Sequence, residues 1–261
     1  MRAMSNIQII HGDCMEAMKQ MPDKAYELAI VDPPYGIGED GEKNNSRGSA
    51  AGANKWKGSR NTTGVGIAST YFIPKKWDKE PPPQNYFNEL LRVSKNQIIF
   101  GANHFISRNP IDSSCWIIWD KVNGTTDFAD CEIAWTSFKT AIRKFTYMWN
   151  GMLQGNMKNK EKRIHPTQKP VALYDWIFRN YAKPGQRIID THLGSGSSAI
   201  AAHYFGCDFV GCEIDESYFL AAKERFDRET KQITLFGEED GQQRCDKDGK
   251  DIGDYQNDLQ Y

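Results

Sequence analysis

Arg187-Ile188-Ile189-Asp190-Thr191-His192-Leu193-Gly194-Ser195-Gly196-Ser197-Ser198-Ala199-Ile200-Ala201-Ala202 decides the fold class. It reads as a short buried strand, a Gly-rich turn and a helix of small residues. Gly194 and Gly196 permit a tight turn and a close backbone approach to a ligand, and the helix start offers free N–H groups. One helix later a second strand, Phe209-Val210-Gly211-Cys212, ends at Glu213. Strand, helix and strand in this order predict α/β architecture: a single, mostly parallel, doubly wound sheet. An acid about 20 residues past the turn suits a ribose, because a carboxylate can accept from both hydroxyls. The turn lacks the third Gly of a dinucleotide fingerprint, so a single nucleoside fits better.

Far upstream, Leu28-Ala29-Ile30-Val31 is a short apolar run followed by Asp32-Pro33-Pro34-Tyr35. The tetrapeptide is expected on the loop leaving the carboxyl end of a buried strand, where open α/β sheets place their chemistry. Its residue types suit methylation of an exocyclic amine on a flat ring. The Asp32 carboxylate can accept one amine hydrogen and the Pro33 carbonyl the other. Two prolines stiffen the loop, and the Tyr35 ring offers a stacking face for a base drawn out of its helix.

With these two elements in this order, the chain resembles the permuted β group of amino-methylating DNA methyltransferases. These carry Asp-Pro-Pro-Tyr near the N-terminus and the Gly turn near the C-terminus. Gly12-Asp13, Trp119-Asp120-Lys121, the run Phe128 to Trp135 and His165-Pro166-Thr167-Gln168-Lys169-Pro170 extend the resemblance over most of residues 6–229. The resemblance implies a circularly permuted, Rossmann-like methyltransferase fold using S-adenosylmethionine. It further implies that Asp32, Pro33, Pro34 and Tyr35 are catalytic. The cofactor would be bound by Asp190, Gly194, Ser195, Gly196 and Ser197 of the turn region. Asp13 would meet the cofactor adenine, Glu213 the ribose, and Thr167 and Lys169 the methionine carboxylate. An initial Asp in the tetrapeptide goes with adenine N6 and an initial Ser with cytosine N4, so adenine is expected; cytosine N4 is the alternative. One departure stands out: Asp190-Thr191-His192 replaces the family's usual Asp-Pro-Phe. A catalytically silent DNA- or clamp-binding protein on the same scaffold is therefore a further alternative. No metal site is expected.

Composition agrees with one large domain. The 261 residues are 39% hydrophobic and include seven Trp. No apolar run approaches the roughly 20 residues of a membrane span, and no signal pattern opens the chain. The six Cys form no Cys-x-x-Cys pair, and none follows Pro as the nucleophile of a ring-carbon methyltransferase does. A reduced, cytoplasmic setting follows. The net charge of −1 is uneven: residues 238–261 carry eight acids and three bases, leaving +4 for residues 1–237. Basic residues crowd into 41–79 and 139–169, the stretches expected to meet the phosphates of double-stranded DNA.

The chain divides into a catalytic domain, 1–231, and an acidic, disordered tail, 232–261. Within the domain, 36–80 reads as a mobile DNA-facing loop and 120–164 as the inserted target-recognition segment. Strands are expected at Ile7 to Ile10, Leu28 to Val31, Gln97 to Phe100, Trp116 to Trp119, Cys131 to Phe138 and Lys144 to Trp149. Helices are expected at Cys14 to Met21, 85–93, Val171 to Tyr181 and Tyr218 to Lys231. Gln232-Ile233-Thr234-Leu235-Phe236 resembles the peptide by which bacterial proteins dock on the replication sliding clamp. Family resemblance also raises a homodimer.

Overall fold

The computed structural model describes residues 5–40, 72–109, 111–123, 129–150 and 153–231. The expectations for 41–71 and 232–261, the Gln232–Phe236 peptide included, lie outside these residues.

An eight-stranded sheet organises the chain. Its strands are β1 (Ile7–His11), β2 (Tyr26–Val31), β3 (Ser94–Phe100), β4 (Trp116–Asp120), β5 (Cys131–Thr136), β6 (Arg143–Thr146), β9 (Arg187–Asp190) and β10 (Asp208–Glu213). Two further short strands, β7 (Trp149–Asn150) and β8 (Leu153–Gln154), form a separate hairpin. The spatial order is β1-β10-β9-β2-β3-β5-β4-β6. From β1 through β3 every pairing is parallel. β5 runs antiparallel to both β3 and β4, and β6 pairs parallel to β4.

The central strands are apolar on both faces, as strands covered on both sides must be. In β2 the period of two sends Leu28 and Ile30 into one core and Ala29 and Val31 into the other. The first core is closed by α3 (Val171–Tyr181), α4 (Ser197–Phe205) and α5 (Glu216–Lys231). The second is closed by α1 (Cys14–Lys19) and α2 (Gln84–Val93). Helix α2 buries Tyr86, Phe87, Leu90 and Val93, the spacing of one helical face. Helix α3 buries Leu173, Tyr174, Ile177 and Phe178 in the same way. Helix α4 buries Ser198, Ala199, Ala201 and Ala202, small residues that let it lie close to α3.

Several expected boundaries move. β5 ends at Thr136 rather than Phe138, where Thr136 turns its hydroxyl to the Cys115 carbonyl at 2.7 Å. The single strand expected over Lys144 to Trp149 divides into β6 and β7, because Trp149 turns inward to donate from its indole to the Gln168 carbonyl at 2.8 Å. β3 begins three residues earlier than expected, at Ser94. Helix α1 stops at Lys19 and α5 starts at Glu216. No helix among the described residues is long and apolar enough to cross a membrane.

Candidate active site

Chain order reverses between β9 and β2. β9 is followed by β10 on one side, and β2 by β3 on the other, while β9 and β2 pair through Leu28 with Ile188 and Ala29 with Ile189. Carboxyl ends diverge at such a switch point and leave a crevice for ligands. The Gly-rich turn leaves β9 and the Asp32–Tyr35 loop leaves β2, so both open into one cavity of about 1190 Å³. Glu213 ends β10, and β1, beside β10, runs into Gly12 and Asp13. Asp13, Glu213, the Gly turn and Asp32 thus follow one another along a single sheet edge.

At the β2 end, Asp32 has a partner on each oxygen. The Tyr35 hydroxyl donates to Oδ1 at 2.6 Å and the Lys169 ammonium to Oδ2 at 2.5 Å. Lys169 is also 3.0 Å from the Glu132 carboxylate, 3.2 Å from the Tyr35 hydroxyl, and 4.8 Å from the Phe100 ring centre. Its side chain is 3% exposed. Burial raises the Asp32 carboxyl above its ordinary range, against the opposing pull of Lys169. Burial would also raise Glu132, but Lys169 and Lys121 outweigh it and hold the group down to about 2. Both carboxylates raise Lys169 against the cost of its burial.

The loop is held from behind by Asp78, which is 2% exposed. One Asp78 oxygen accepts from the N–H groups of Tyr35 and Gly36, both at 2.7 Å, and the other from Glu39 at 2.8 Å. The Tyr35 ring lies against Gly101, where a Cβ would fall 2.0 Å from a ring carbon and where φ is +67°, so that position needs glycine. The stacking face expected to be free is not: His104 lies on Tyr35 at 5.1 Å with planes 14° apart. A base that stacks there must take the place of the imidazole.

At the β9 end, Asp13, Thr167, Gly194, Ser195 and Glu213 line the cavity. Asp190, Gly196 and Ser197, expected among the cofactor contacts, do not; they build the turn from beneath. Asp190 accepts from Ser198 Oγ at 2.6 Å and from the His192 N–H at 3.0 Å, and burial pushes its carboxyl up to about 7. Gly196 takes φ +75° at the helix start. Ser197 accepts from Arg225 at 2.9 Å, and the same guanidinium donates to the Ser195 carbonyl at 3.0 Å. Arg225 is 1% exposed and also pairs with Glu161 and Glu229, which ties the turn to the 161–170 segment.

Glu213 accepts from the Gly194 N–H through one oxygen and from the Asp215 N–H through the other, both at 2.9 Å. These bonds fix its orientation at the cavity wall. Asp13 accepts from the Met15 N–H at 2.7 Å and caps α1. Thr167 Oγ1 lies 3.2 Å from His165 Nδ1. Lys169, expected beside Thr167 at a methionine carboxylate, lines the same cavity and turns its ammonium to Asp32 and Glu132, the two anions that offset its burial.

His192 faces the cavity and packs edge-on against Tyr86, 5.2 Å between centres. Its Nδ1 lies 3.0 Å from Thr191 Oγ1, and the Tyr86 hydroxyl lies 2.6 Å from the same oxygen. Burial lowers its pKa to about 4, so a neutral ring occupies the place of the usual aromatic. Sequence reasoning missed Asp78, Gly101, His104, Glu132 and Arg225 as parts of the site. Only Glu132 carried a signal, as a member of the familial run Phe128 to Trp135. Among the described residues, no cluster of His, Cys, Asp and Glu forms a metal site.

A family model for DNA methylases of the N6/N4 type matches residues 112–224. The chain is 23% identical to the type II methyltransferase M.HinfI of Haemophilus influenzae, over 85% of this chain and 68% of that protein. It is also 23% identical to the type II methyltransferase M.ScaI of Streptomyces caespitosus, over 88% and 84%. The fold is shared with the PvuII cytosine-N4-specific DNA methyltransferase, at a TM-score of 0.52 and 11% identity over 88% of this chain and 93% of that one. A DNA modification methylase from Thermus thermophilus matches at 0.50 and 16% identity, over 85% and 95%. These comparisons support site-specific DNA methylation by this chain. The matched family model covers less than half of the chain and runs from β4 into α5 of this fold.

Proposed function

We propose that the protein transfers a methyl group from S-adenosylmethionine to N6 of an adenine flipped out of double-stranded DNA. The observation that carries this is the common cavity: the Asp32–Tyr35 loop and the Gly194–Ser195 turn open into it from neighbouring strands. The residues present fit such a methyl donor. Two carboxylates, Asp13 and Glu213, line the same cavity and would accept from a nucleoside's ring amine and ribose hydroxyls. When bound, the cofactor supplies a methyl group activated by a sulfonium.

The protein's own part is orientation in a dry pocket. Asp32 and the Pro33 carbonyl accept the two amine hydrogens, which turns the nitrogen lone pair towards the methyl donor. Pro34 keeps the loop stiff. Tyr35 stacks on the base once His104 withdraws, and its hydroxyl releases Asp32 Oδ1. Glu213 accepts from the ribose, Asp13 from the cofactor adenine, and Thr167 meets the methionine carboxylate. Lys169 pairs with Asp32 of the catalytic loop. Support for adenine over cytosine is the initial Asp of the tetrapeptide, set against the Ser that accompanies cytosine.

The test is incubation with tritiated cofactor and DNA, followed by digestion and identification of the labelled nucleoside. N6-methyladenine is expected. N4-methylcytosine would overturn the choice of base, and absence of label would overturn the activity. Two partner readings go further. Gln232–Phe236 is assigned to a sliding clamp, tested by titrating purified clamp with the protein and with a Gln232→Ala/Leu235→Ala/Phe236→Ala variant. A homodimer is tested by sedimentation. A DNA substrate places the enzyme with the chromosome, in the cytoplasm.

A further inference from the structure

Four charges of alternating sign run from the loop after β4 to the catalytic loop: Lys121, Glu132, Lys169 and Asp32. Lys121 is hydrogen-bonded to Glu132. The inner pair lies in a dry place, with Lys169 3% exposed and over the Phe100 ring. A single ammonium–carboxylate pair at 2.5 Å in such surroundings is hard to part, because little water screens it. Asp32 must still accept from an incoming amine at Oδ1, which a cation fully committed to Oδ2 would weaken. Glu132 stands 3.0 Å from the same ammonium and divides its charge.

We propose that Glu132 is a positioning residue for methyl transfer, sharing the Lys169 ammonium so that Asp32, held at Oδ2, keeps at Oδ1 the accepting strength the target amine needs once Tyr35 releases it. This rests on the functional reading above. Glu132 acts through Lys169 and touches neither the base nor the methyl donor. The groups that face Asp32 are Lys169, Glu132 of β5 with Lys121 behind it, Tyr35 and His104, Tyr174 of α3 and Asp190 of β9. With Glu132 neutral, Lys169 has Asp32 as its one anionic partner and draws more strongly on its carboxylate. With Lys169 neutral, Asp32 faces Glu132 without a cation between them.

The two neutral variants therefore have opposite signatures. The measurement is the pH dependence of single-turnover methyl transfer in the parent, E132Q and K169Q. It is joined by a ¹³C titration of the Asp32 carboxyl, assigned with D32N and made without DNA or cofactor. E132Q is expected to transfer about tenfold or more slowly at the plateau, with DNA affinity retained. Its acid limb and its Asp32 midpoint both move down by about half a unit or more, and those of K169Q move up. General loosening of the site would move both variants in the same direction.

An E132Q midpoint and plateau equal to the parent's would overturn the proposal, as would shifts of the same sign in both variants. If E132Q does not fold, E132D takes its place; it keeps the charge but withdraws it by one methylene, and a smaller downward shift is expected. A parent that methylates no DNA would overturn the functional reading, while the carboxyl titration would still read how Lys169 is shared between Asp32 and Glu132.

Discussion

Asp78 shows what one side chain does for a loop it is far from in sequence. It is 43 residues from Tyr35, yet it accepts three backbone N–H groups of the catalytic loop. Hydrogen bonds to a carboxylate are stronger than neutral ones, and a buried donor left without a partner costs about 1–3 kcal/mol. Asp78→Ala is expected to lower the transfer rate at least tenfold, as misplaced groups do, while cofactor affinity measured by calorimetry persists at the Glu213 end. Asp32→Ala is expected to abolish transfer and likewise leave cofactor binding intact; activity within a few-fold of the parent would remove Asp32 from the mechanism. Asp190 yields a pH dependence. Its carboxyl lies at about 7 in the folded protein, raised from 3.8 by burial. The folded state then holds the proton more tightly than the unfolded state does. The resulting stabilisation is complete below about 4, the unfolded value, and is lost as pH rises through 7. The melting temperature of the parent should therefore fall relative to that of Asp190→Asn between about pH 5 and pH 8. A constant difference would show that Asp190 does not titrate there.

Helix α5 does more for the site than its place at the end of the domain implies. The sequence marks it as a closing helix from Tyr218 to Lys231 and does not single out Arg225. In the fold Arg225 is 1% exposed and bonds Ser195, Ser197, Glu161 and Glu229. The helix thus braces the underside of the Gly turn. Breaking a buried ion pair from one side leaves the partner charge stranded, typically at a cost of about 3–5 kcal/mol. Arg225→Met should destabilise the protein by roughly that amount, and cofactor affinity should fall with it. Loss of neither in denaturant melts and calorimetry would make the network incidental. Strand β5 has the corresponding place on the β side. Its reversed direction puts Glu132 near Lys169, and a purely parallel continuation would have sent its ends the other way.

The whole molecule resolves the contradiction of a nearly neutral chain that acts on DNA. The acidic residues are concentrated beyond 237, and the basic ones on 41–79 and 139–169. Lys75 lines the cavity on one side and Arg163 and Lys169 on the other. Lys75 is tied to Asp215 at 2.5 Å, beside the Glu213 strand end. Neutralising Lys43, Arg47, Lys55, Lys57 and Arg60 together should weaken DNA binding and flatten its salt dependence, by about 0.9 in slope for each phosphate left without a cation. Cofactor affinity should not change. An unaltered slope would assign the segment to solvent.

The amino-acid sequence by itself determined the local pieces and their order. Apolar runs of four or five residues, a Gly turn before a small-residue helix, and two prolines after an Asp all act through neighbours in the chain, so they are legible without a structure. From them and the resemblance they carry came the α/β class, the mostly parallel sheet, the two strand ends that open into the cavity, and candidate site residues of which all but Asp190, Gly196 and Ser197 line it. Tertiary structure alone decided which distant groups meet. Lys169 joins Asp32 across 137 positions, Asp78 reaches back to Tyr35, Arg225 passes beneath Ser195, and His104 covers the Tyr35 ring. None of these has a periodicity or a spacing. Each exists because a buried charge or ring must find a complement, and that complement is whatever the folded sheet edge brings within reach.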